Sequence, residues 1–239
     1  MLVRHYMTPN PVTILPTASV EDAFYIMHEK GVHHLPVQDY AGRLVGFVAE
    51  HDLLLVSPSP TAAITLHEML YQLAQVKISS IMSEHPITVD ADAPLEEAAR
   101  LMVEHKLDAL PVLSQGELVG IITETDIFQV FLEVLDTPVP AVRLSMLIPD
   151  EKGLIAYLCR HIAAAGGNIL SAGEFHGPKP GTRQLTLRIA EVPLEQVRAI
   201  AERAVQERGF VLLDIRECAP AEKTGHAEAP ADAGPAGKE

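Results

Sequence analysis

The chain has 239 residues, of which 48% are hydrophobic, and it carries a formal net charge of −14 at pH 7. This length and composition predict a globular protein of one or two domains, and its apolar runs are far too short to span a bilayer. The acidic balance argues against nucleic acid as a partner, and the lack of an apolar segment after Arg4 predicts a cytoplasmic protein without a secretion signal.

Charge is distributed unevenly along the chain. Residues 1–140 hold 6 Lys and Arg against 19 Asp and Glu, whereas residues 141–217 hold 10 against 9. This change predicts two regions with different surfaces. The two cysteines, Cys159 and Cys218, are far apart in sequence and are expected to be reduced thiols.

An internal repeat organises the first region. Residues 82–126 match residues 7–52 at an offset of 75, which falls to 74 after a turn marked by Gly42 and Gly116. Two copies of a unit with one hydrophobic face usually pack on each other, and a cleft between them is a common place for a small ligand. The repeat therefore predicts a paired domain with a ligand site between the copies.

Each copy is expected to contain a strand, a helix, two strands and a second helix. In the first copy the pattern predicts a short strand over residues 12–14 and a helix that is capped by Ser19 and stopped by Gly31. Two strands follow, over residues 34–37 and Leu44–Ala49. The second copy predicts the same order.

The segment between the copies has its own pattern. Residues 57–60 (SPSP) predict a stiff linker, and Leu66–Gln75 predicts an amphipathic helix that covers core surface. At the end of the repeat region, Pro138 and Pro140 predict a short extended joint over residues 137–141, because proline cannot continue a helix.

The second region changes to an alternation of apolar and polar residues over residues 141–148, as in a half-buried strand. The elements predicted after it are a helix at 154–165, strands at 168–175 and 184–189, a helix at Leu194–Arg208 and a strand at 210–215. This βαββαβ order is that of the split-βαβ plait, one antiparallel sheet with both helices on one face. Residues 219–239 lack large apolar side chains and are predicted to be disordered.

Residues 46–52 (GFVAEHD) and 120–126 (GIITETD) resemble the G-h-x-[ST]-x-x-D signature of CBS domains. The Leu-Pro-Val strands and the Met…Pro-x-Thr openings fit the same family. The resemblance covers residues 1–136 and implies a Bateman module, a regulatory pair that binds adenosine derivatives between its repeats. Its parts are repeat 1 at residues 1–56, a helical insertion at 57–78 and repeat 2 at 79–136.

The signature residues have a physical reason to bind a nucleotide. Asp126 begins a helix, where a carboxylate both caps the helix and accepts hydrogen bonds from ribose hydroxyls, and Thr123 adds a hydroxyl beside free backbone N–H groups. The alternative is that both residues only cap the helix. The expected nucleotide contacts are Thr88, Leu110, Pro111, Thr123 and Asp126 in repeat 2, and Thr13, His34, Pro36 and Asp52 in repeat 1.

The two copies are not equivalent. Repeat 1 has Ala49 where the signature has Ser or Thr, so its site lacks a hydroxyl. It also carries His33 and His34 where repeat 2 has Asp108 and Ala109. We therefore predict that repeat 2 holds the better nucleotide site. His34 is expected to stack on a base or to contact a phosphate, and the alternative is a solvated strand end.

The low number of cations in the repeat region narrows the ligand. AMP, ADP, adenosine or S-adenosylmethionine suits this acidic region, whereas a triphosphate would have to bring Mg²⁺. No H-E-x-x-H or C-x-x-C spacing is present, so no metal or other cofactor is predicted. The sequence contains no Walker loop, G-x-S-x-G or G-x-G-x-x-G motif, so it is not predicted to be an enzyme.

Residues 141–217 resemble an ACT domain, a ferredoxin-like plait through which many proteins of amino-acid metabolism sense amino acids. Residues 150–153 (DEKG) are similar to the D-x-P-G loop of that family, with Lys152 in place of proline. The resemblance implies an amino-acid site across a dimer interface, and the alternative is a plait that only dimerises. The implied contacts are Asp150, Gly153, Asn168 and Ile169.

A tandem CBS pair with a helical insertion and a terminal ACT domain is similar to the acetoin-utilisation protein B-like family. The fold class predicted is α/β (α+β), a CBS pair followed by a βαββαβ plait. The function predicted is a non-enzymatic, homodimeric sensor that binds an adenosine ligand between the repeats and an amino acid at the ACT domain. It is expected to control a metabolic partner protein that the sequence does not identify. The alternatives are an Mg²⁺-dependent nucleotide-processing enzyme and a scaffolding dimer with vestigial sites.

Overall fold

The computed structural model describes residues 1–57, 65–135 and 139–220. They divide between two compact units, Met1–Val130 and Phe131–Glu239. Most of the predicted linker, part of the predicted joint and nearly all of the predicted disordered tail lie outside the described residues. Within the ranges described, no helix is long and apolar enough to cross a membrane.

The first unit contains the two repeats and the helix between them. Its strands are β1 (Thr8–Pro9), β2 (His34–Gln38), β3 (Leu44–Ala49), β4 (Ser83–Glu84), β5 (Val89–Asp90), β6 (Ala109–Ser114) and β7 (Glu117–Thr123). Its helices are α1 (Val20–Lys30), α2 (Glu50–Leu55), α3 (Leu66–Gln75), α4 (Leu95–His105) and α5 (Glu124–Leu135), which runs into the second unit. The strands form two sheets, in the orders β1-β7-β6-β5 and β2-β3-β4.

The two repeats exchange their opening strands. Strand β1 opens repeat 1 but pairs antiparallel with β7 of repeat 2, and β4, which opens repeat 2, pairs antiparallel with β3 of repeat 1. The cores follow the exchange, because Val3 is buried with repeat 2 and Ile78 with repeat 1. Each physical half of the unit is therefore built from both sequence repeats.

Two glycines make room for this exchange. A Cβ atom at Gly46 would lie 2.9 Å from Cγ of Met82, and one at Gly120 would lie 3.0 Å from Cγ of Met7. Such contacts are shorter than or at the limit of real Cβ contacts. The Met and Gly that recur in the sequence repeat are thus contact partners across the two copies.

The predicted elements of the first unit are largely confirmed. Ser19 caps α1, whose chain leaves the helix at Gly31 with φ 64°. Helix α3 has the predicted bounds and packs on α1, with Leu73 buried in the core of repeat 1. The strand predicted over residues 12–14 was wrong, since only Ile14 forms a bridge, to Val37. Prolines on both sides of that segment lack the N–H donors that a longer ladder needs.

The second unit contains the predicted βαββαβ order. Its elements are β8 (Ala141–Pro149), α6 (Leu154–Ala164), β9 (Asn168–His176), β10 (Thr182–Ala190), α7 (Leu194–Arg208) and β11 (Val211–Cys218). The strand order is β11-β8-β10-β9, and neighbouring strands are antiparallel. The alternate apolar residues of β8 are buried as predicted, and Ser145 between them is buried as well, within 2.9 Å of the Thr186 hydroxyl.

Candidate functional site

A cavity of about 620 Å³ lies in the first unit and is lined by both repeats. Repeat 1 contributes the end of α1, the turn before β2 and the start of α2. Repeat 2 contributes the turn before β6, the end of β7 and the start of α5. The cavity therefore occupies the place between the copies that the sequence repeat predicts for a ligand.

Equivalent backbone hydrogen bonds hold the two helix starts at the cavity. Glu50 N donates to the His33 carbonyl oxygen over 2.9 Å, and Glu124 N donates to the Asp108 carbonyl oxygen over the same distance. Each bond ties the first residue of a helix to the turn that precedes the neighbouring strand. The starts of both helices are thereby held at the cavity, where the positive end of a helix favours acceptor atoms.

A third wall comes from the exchanged segment. Thr8, Asn10, Pro11 and Val12 line the cavity because β1 is paired with β7 of repeat 2. The sequence analysis did not identify these residues. The pairing that places them joins two residues to a strand more than a hundred positions away, and a two-residue strand has no periodicity to detect.

Two of the predicted nucleotide contacts, His34 and Thr123, line the cavity. Leu110 has no exposed surface, and Pro36 and Pro111 are also buried, because the Leu-Pro-Val segments lie within the cores. The predicted contacts that do not line this cavity are Thr13, Pro36, Asp52, Thr88, Leu110, Pro111 and Asp126. Lining residues that were not predicted as contacts include His33, Glu50, His51, Asp108, Glu124 and Thr125.

Asp126 and Thr123 form a capping box at the start of α5. One carboxylate oxygen of Asp126 accepts hydrogen bonds from Thr123 N and Oγ1, both over 2.8 Å, and Asp126 N donates to Thr123 Oγ1 over 3.2 Å. In repeat 1, Asp52 accepts a hydrogen bond from the Ala49 backbone N–H over 2.8 Å, and Ala49 has no hydroxyl to add a second. The predicted cap and the predicted loss of a hydroxyl in repeat 1 are confirmed, and the ligand role of Asp126 stays a prediction.

Three histidines beside the cavity are each close to a carboxylate. His33 Nδ1 lies 2.7 Å from Glu50 Oε2, and His51 Nε2 lies 3.1 Å from Asp52 Oδ1. Both of these pairs are within repeat 1.

The third pair joins the repeats. His34 Nε2 lies 3.0 Å from Oδ1 of Asp108 in repeat 2, and the His34 ring stacks on Phe47 with its centroid 5.7 Å away. The His34 side chain is 13% exposed. This ring is held by a half-buried aromatic residue on one side and a carboxylate at its tip, so it is an ordered part of the cavity wall.

The cavity is acidic. Glu50, Asp108 and Glu124 line it, and the described residues of its lining include no Lys or Arg. Among the described residues of the whole chain, no group of three or more His, Cys, Asp or Glu side chains is placed to hold a metal ion.

In the second unit, the predicted amino-acid contacts lie in two places. Gly153, with φ 87°, precedes α6 and borders a cavity of about 540 Å³ that Arg183 also lines. Asp150 forms an ion pair with that arginine, 3.1 Å from Nε but without hydrogen-bond geometry. Asn168 and Ile169 are at the other end of the sheet, because β9 begins opposite the end of β10. One chain does not bring the four residues together.

Comparison with known proteins identifies the first unit. The CBS domain model matches residues 3–59 and 78–133. A CBS domain-containing protein of Dictyostelium discoideum is 34% identical over 141 residues, which cover 59% of this chain and 97% of the relative. The chloroplastic protein CBSX2 of Arabidopsis thaliana is 32% identical over 152 residues, 55% of this chain and 64% of CBSX2. The chain belongs to the CBS domain family.

Solved structures are similar over about half of the chain. CBSX2 in complex with AMP is 33% identical, with a TM-score of 0.47, and the match covers 56% of this chain and 98% of that one. An acetoin utilization protein, AcuB, from Vibrio cholerae is 30% identical, with a TM-score of 0.47, over 56% of this chain and 93% of that one.

Proposed function

We propose that this chain is a non-catalytic regulatory sensor whose tandem repeats bind an adenosine-containing ligand in the cavity between them. The observation that carries the proposal is the cavity itself, which is lined by both repeats and faced by the starts of two helices. Its volume of about 620 Å³ lies in the range of small-molecule sites.

The lining offers the groups that such a ligand needs. Pro11, Val12 and Leu54 provide apolar surface for a base, and the Thr123 hydroxyl with the nearby helix N–H groups provides polar contacts for a ribose. His34 adds an ordered aromatic ring. A ligand that contacts both repeats favours the arrangement in which it fits, and this preference is the basis of a signal to a partner protein.

Similarity to a relative suggests the class of ligand. CBSX2, a relative by sequence, has been crystallised in complex with AMP. We extend adenosine recognition, with AMP, ADP, adenosine and S-adenosylmethionine as candidates, from that family to this chain. The regulated partner is a protein that neither the fold nor the cavity identifies.

For the second unit we propose an ACT-like plait that dimerises and binds an amino acid. Strand β9 is at the edge of its sheet, and an edge strand is a template for pairing with another chain. Antiparallel pairing of two β9 strands about a two-fold axis would bring Asn168 of the partner subunit towards the Asp150 loop. The separation of the predicted contacts within one chain supports a site that needs two chains.

A thermal-shift screen tests both parts of the proposal. Because a ligand that binds only the folded state stabilises it, an adenosine derivative should raise the melting temperature of the full chain, and by more as the concentration of free ligand increases. Thr123→Val should remove most of that shift, whereas Thr125→Val at the same cavity edge should lower it less. A screen in which no adenosine compound binds would contradict the sensor proposal. Light scattering that returns a 25.9 kDa monomer would contradict the dimer.

A further inference from the structure

We propose that the cavity between the repeats selects an uncharged or positively charged adenosine derivative over a nucleotide, and that Glu124 is the residue that distinguishes the charge of the ligand. The inference rests on the proposed function, because it concerns the same cavity. The cavity defines the site, and the carboxylates are part of its lining. They determine which charge is favoured inside it.

Three carboxylates line the cavity, and they differ in their partners. Glu50 is close to His33 and Asp108 is close to His34, at 2.7 Å and 3.0 Å. Glu124 is exposed and forms no ion pair among those found in the described residues. A positive group on a ligand therefore finds one carboxylate that is not already in contact with a histidine ring.

The partial positive charges at the starts of α2 and α5 oppose this preference, and their magnitude decides whether the cavity is negative. The start of a helix carries the equivalent of roughly half a positive charge. Helix α2 has only six residues, and both α2 and α5 already have two acidic residues in their first turns. Three lining carboxylates without Lys or Arg exceed what the two helix starts provide, so the local potential is negative.

The geometry assigns Glu124 rather than the other two carboxylates for a further reason. It is the first residue of α5 and is fixed by its backbone hydrogen bond to Asp108, beside the capping box of Thr123 and Asp126. Its backbone is therefore ordered, while its side chain has no competing partner in the described residues. Replacing its carboxylate removes a charge without removing a hydrogen bond of the fold.

Two ligand pairs isolate the charge. S-adenosylmethionine and S-adenosylhomocysteine differ by one methyl group and the sulfonium charge, and adenosine and AMP differ by the phosphate. Titration calorimetry on the full chain should give tighter binding of S-adenosylmethionine than of S-adenosylhomocysteine, by about three- to tenfold at low salt. Adenosine should bind more tightly than AMP. Both ratios should approach one as NaCl rises to about 0.5 M, because salt screens the field.

The variants are Glu124→Gln and, as the matched control, Glu97→Gln. Glu97 is an exposed glutamate in the first turn of α4, in the same repeat, and does not line the cavity. Glu124→Gln should lower the ratio between the first two ligands at least threefold, whereas Glu97→Gln should leave that ratio unchanged.

Tighter binding of AMP than of adenosine, or an unchanged ratio in Glu124→Gln, would overturn the inference while leaving an adenosine sensor in place. Failure of every adenosine compound to bind would instead count against the proposed function, so the two failures are distinguishable. If Glu124→Gln does not fold, Glu124→Asp supplies the second variant. It keeps the charge and should keep the preference for the sulfonium compound.

Discussion

The two repeats share a framework and differ where they meet the cavity. Both have an opening strand, a helix, two antiparallel strands and a second helix, although only repeat 2 also forms the short strand β5. Both give up their opening strand to the other copy, and both have a glycine that receives the methionine of the other copy. At the cavity, however, repeat 1 presents His33 and His34, whereas repeat 2 presents Asp108 and the Thr123 hydroxyl.

This contrast separates what the fold needs from what the site needs. Positions that carry the exchange are the same in both copies, because the contacts are sterically strict. Positions at the cavity differ, so the two walls are chemically unlike and a ligand has one preferred orientation between them. A symmetric scaffold with an asymmetric site is the expected result when only one ligand orientation is functional.

The largest effect should come from breaking the shared framework. Gly46→Ala should lower the free energy of unfolding by about 1–3 kcal/mol, because the new Cβ overlaps the side chain of Met82. In a Met82→Ala background the further cost of Gly46→Ala should fall below about 1 kcal/mol, since the overlapping atoms are gone. Urea denaturation of the four proteins measures the coupling. Equal costs in both backgrounds would mean that this contact does not fix the exchange.

The second largest effect should be on ligand affinity, which should respond differently to the same substitution in the two repeats. Asp126→Asn should weaken adenosine binding by about tenfold, or about 1.4 kcal/mol, if the free carboxylate oxygen accepts from the ribose. Asp52→Asn, the same change in repeat 1, should weaken it less than twofold. Asparagine keeps an acceptor for each helix cap, so the comparison reports on the ligand. Calorimetry that shows the larger loss for Asp52→Asn would assign the better site to repeat 1.

The caps of α2 and α5 provide a matched pair for stability. Thr123→Ala should cost about 1 kcal/mol, because it removes the hydroxyl that bonds with Asp126. Ala49→Ser should add the missing hydroxyl to repeat 1 and stabilise it by a few tenths to about 1 kcal/mol. Thermal melts without ligand test both changes. Destabilisation by Ala49→Ser would show that the buried site has no room for the oxygen.

The smallest expected effect is on the pH dependence of stability at low pH. Hydrogen bonds from the Ser19 side chain and backbone hold the pKa of Asp22 below its usual value, whereas Pro94, at the N-cap position of α4, provides no side-chain hydrogen bond. A lowered pKa in the folded state stabilises the protein above the unfolded value of about 3.9, and this contribution disappears as pH falls through the folded value. Ser19→Ala should therefore raise the pKa of Asp22 in an NMR titration. Its destabilising effect should shrink below about pH 4, and an effect that is constant with pH would exclude this coupling.

Local patterns predicted what local forces determine. The bounds of α3 and α7 follow from apolar periodicity and, for α7, from the stop at Gly209. The cap at Thr123 follows from Asp126, which is three positions along the chain. The lining by Thr8 and Asn10 was not predicted, because it depends on strand pairing between distant segments. The burial of Leu110 was likewise missed, since a Leu-Pro-Val motif does not state which side of its strand the core will cover.

The exchange of opening strands also has a consequence for synthesis on the ribosome. Repeat 1 cannot complete its sheet until Ser83–Glu84 has emerged, and Thr8–Pro9 has no partner strand until Glu117–Thr123 has been made. The nascent chain must therefore hold its first residues unpaired while nearly all of the module is translated. The two repeats become one folding unit, and neither can be finished, removed or transplanted without the other.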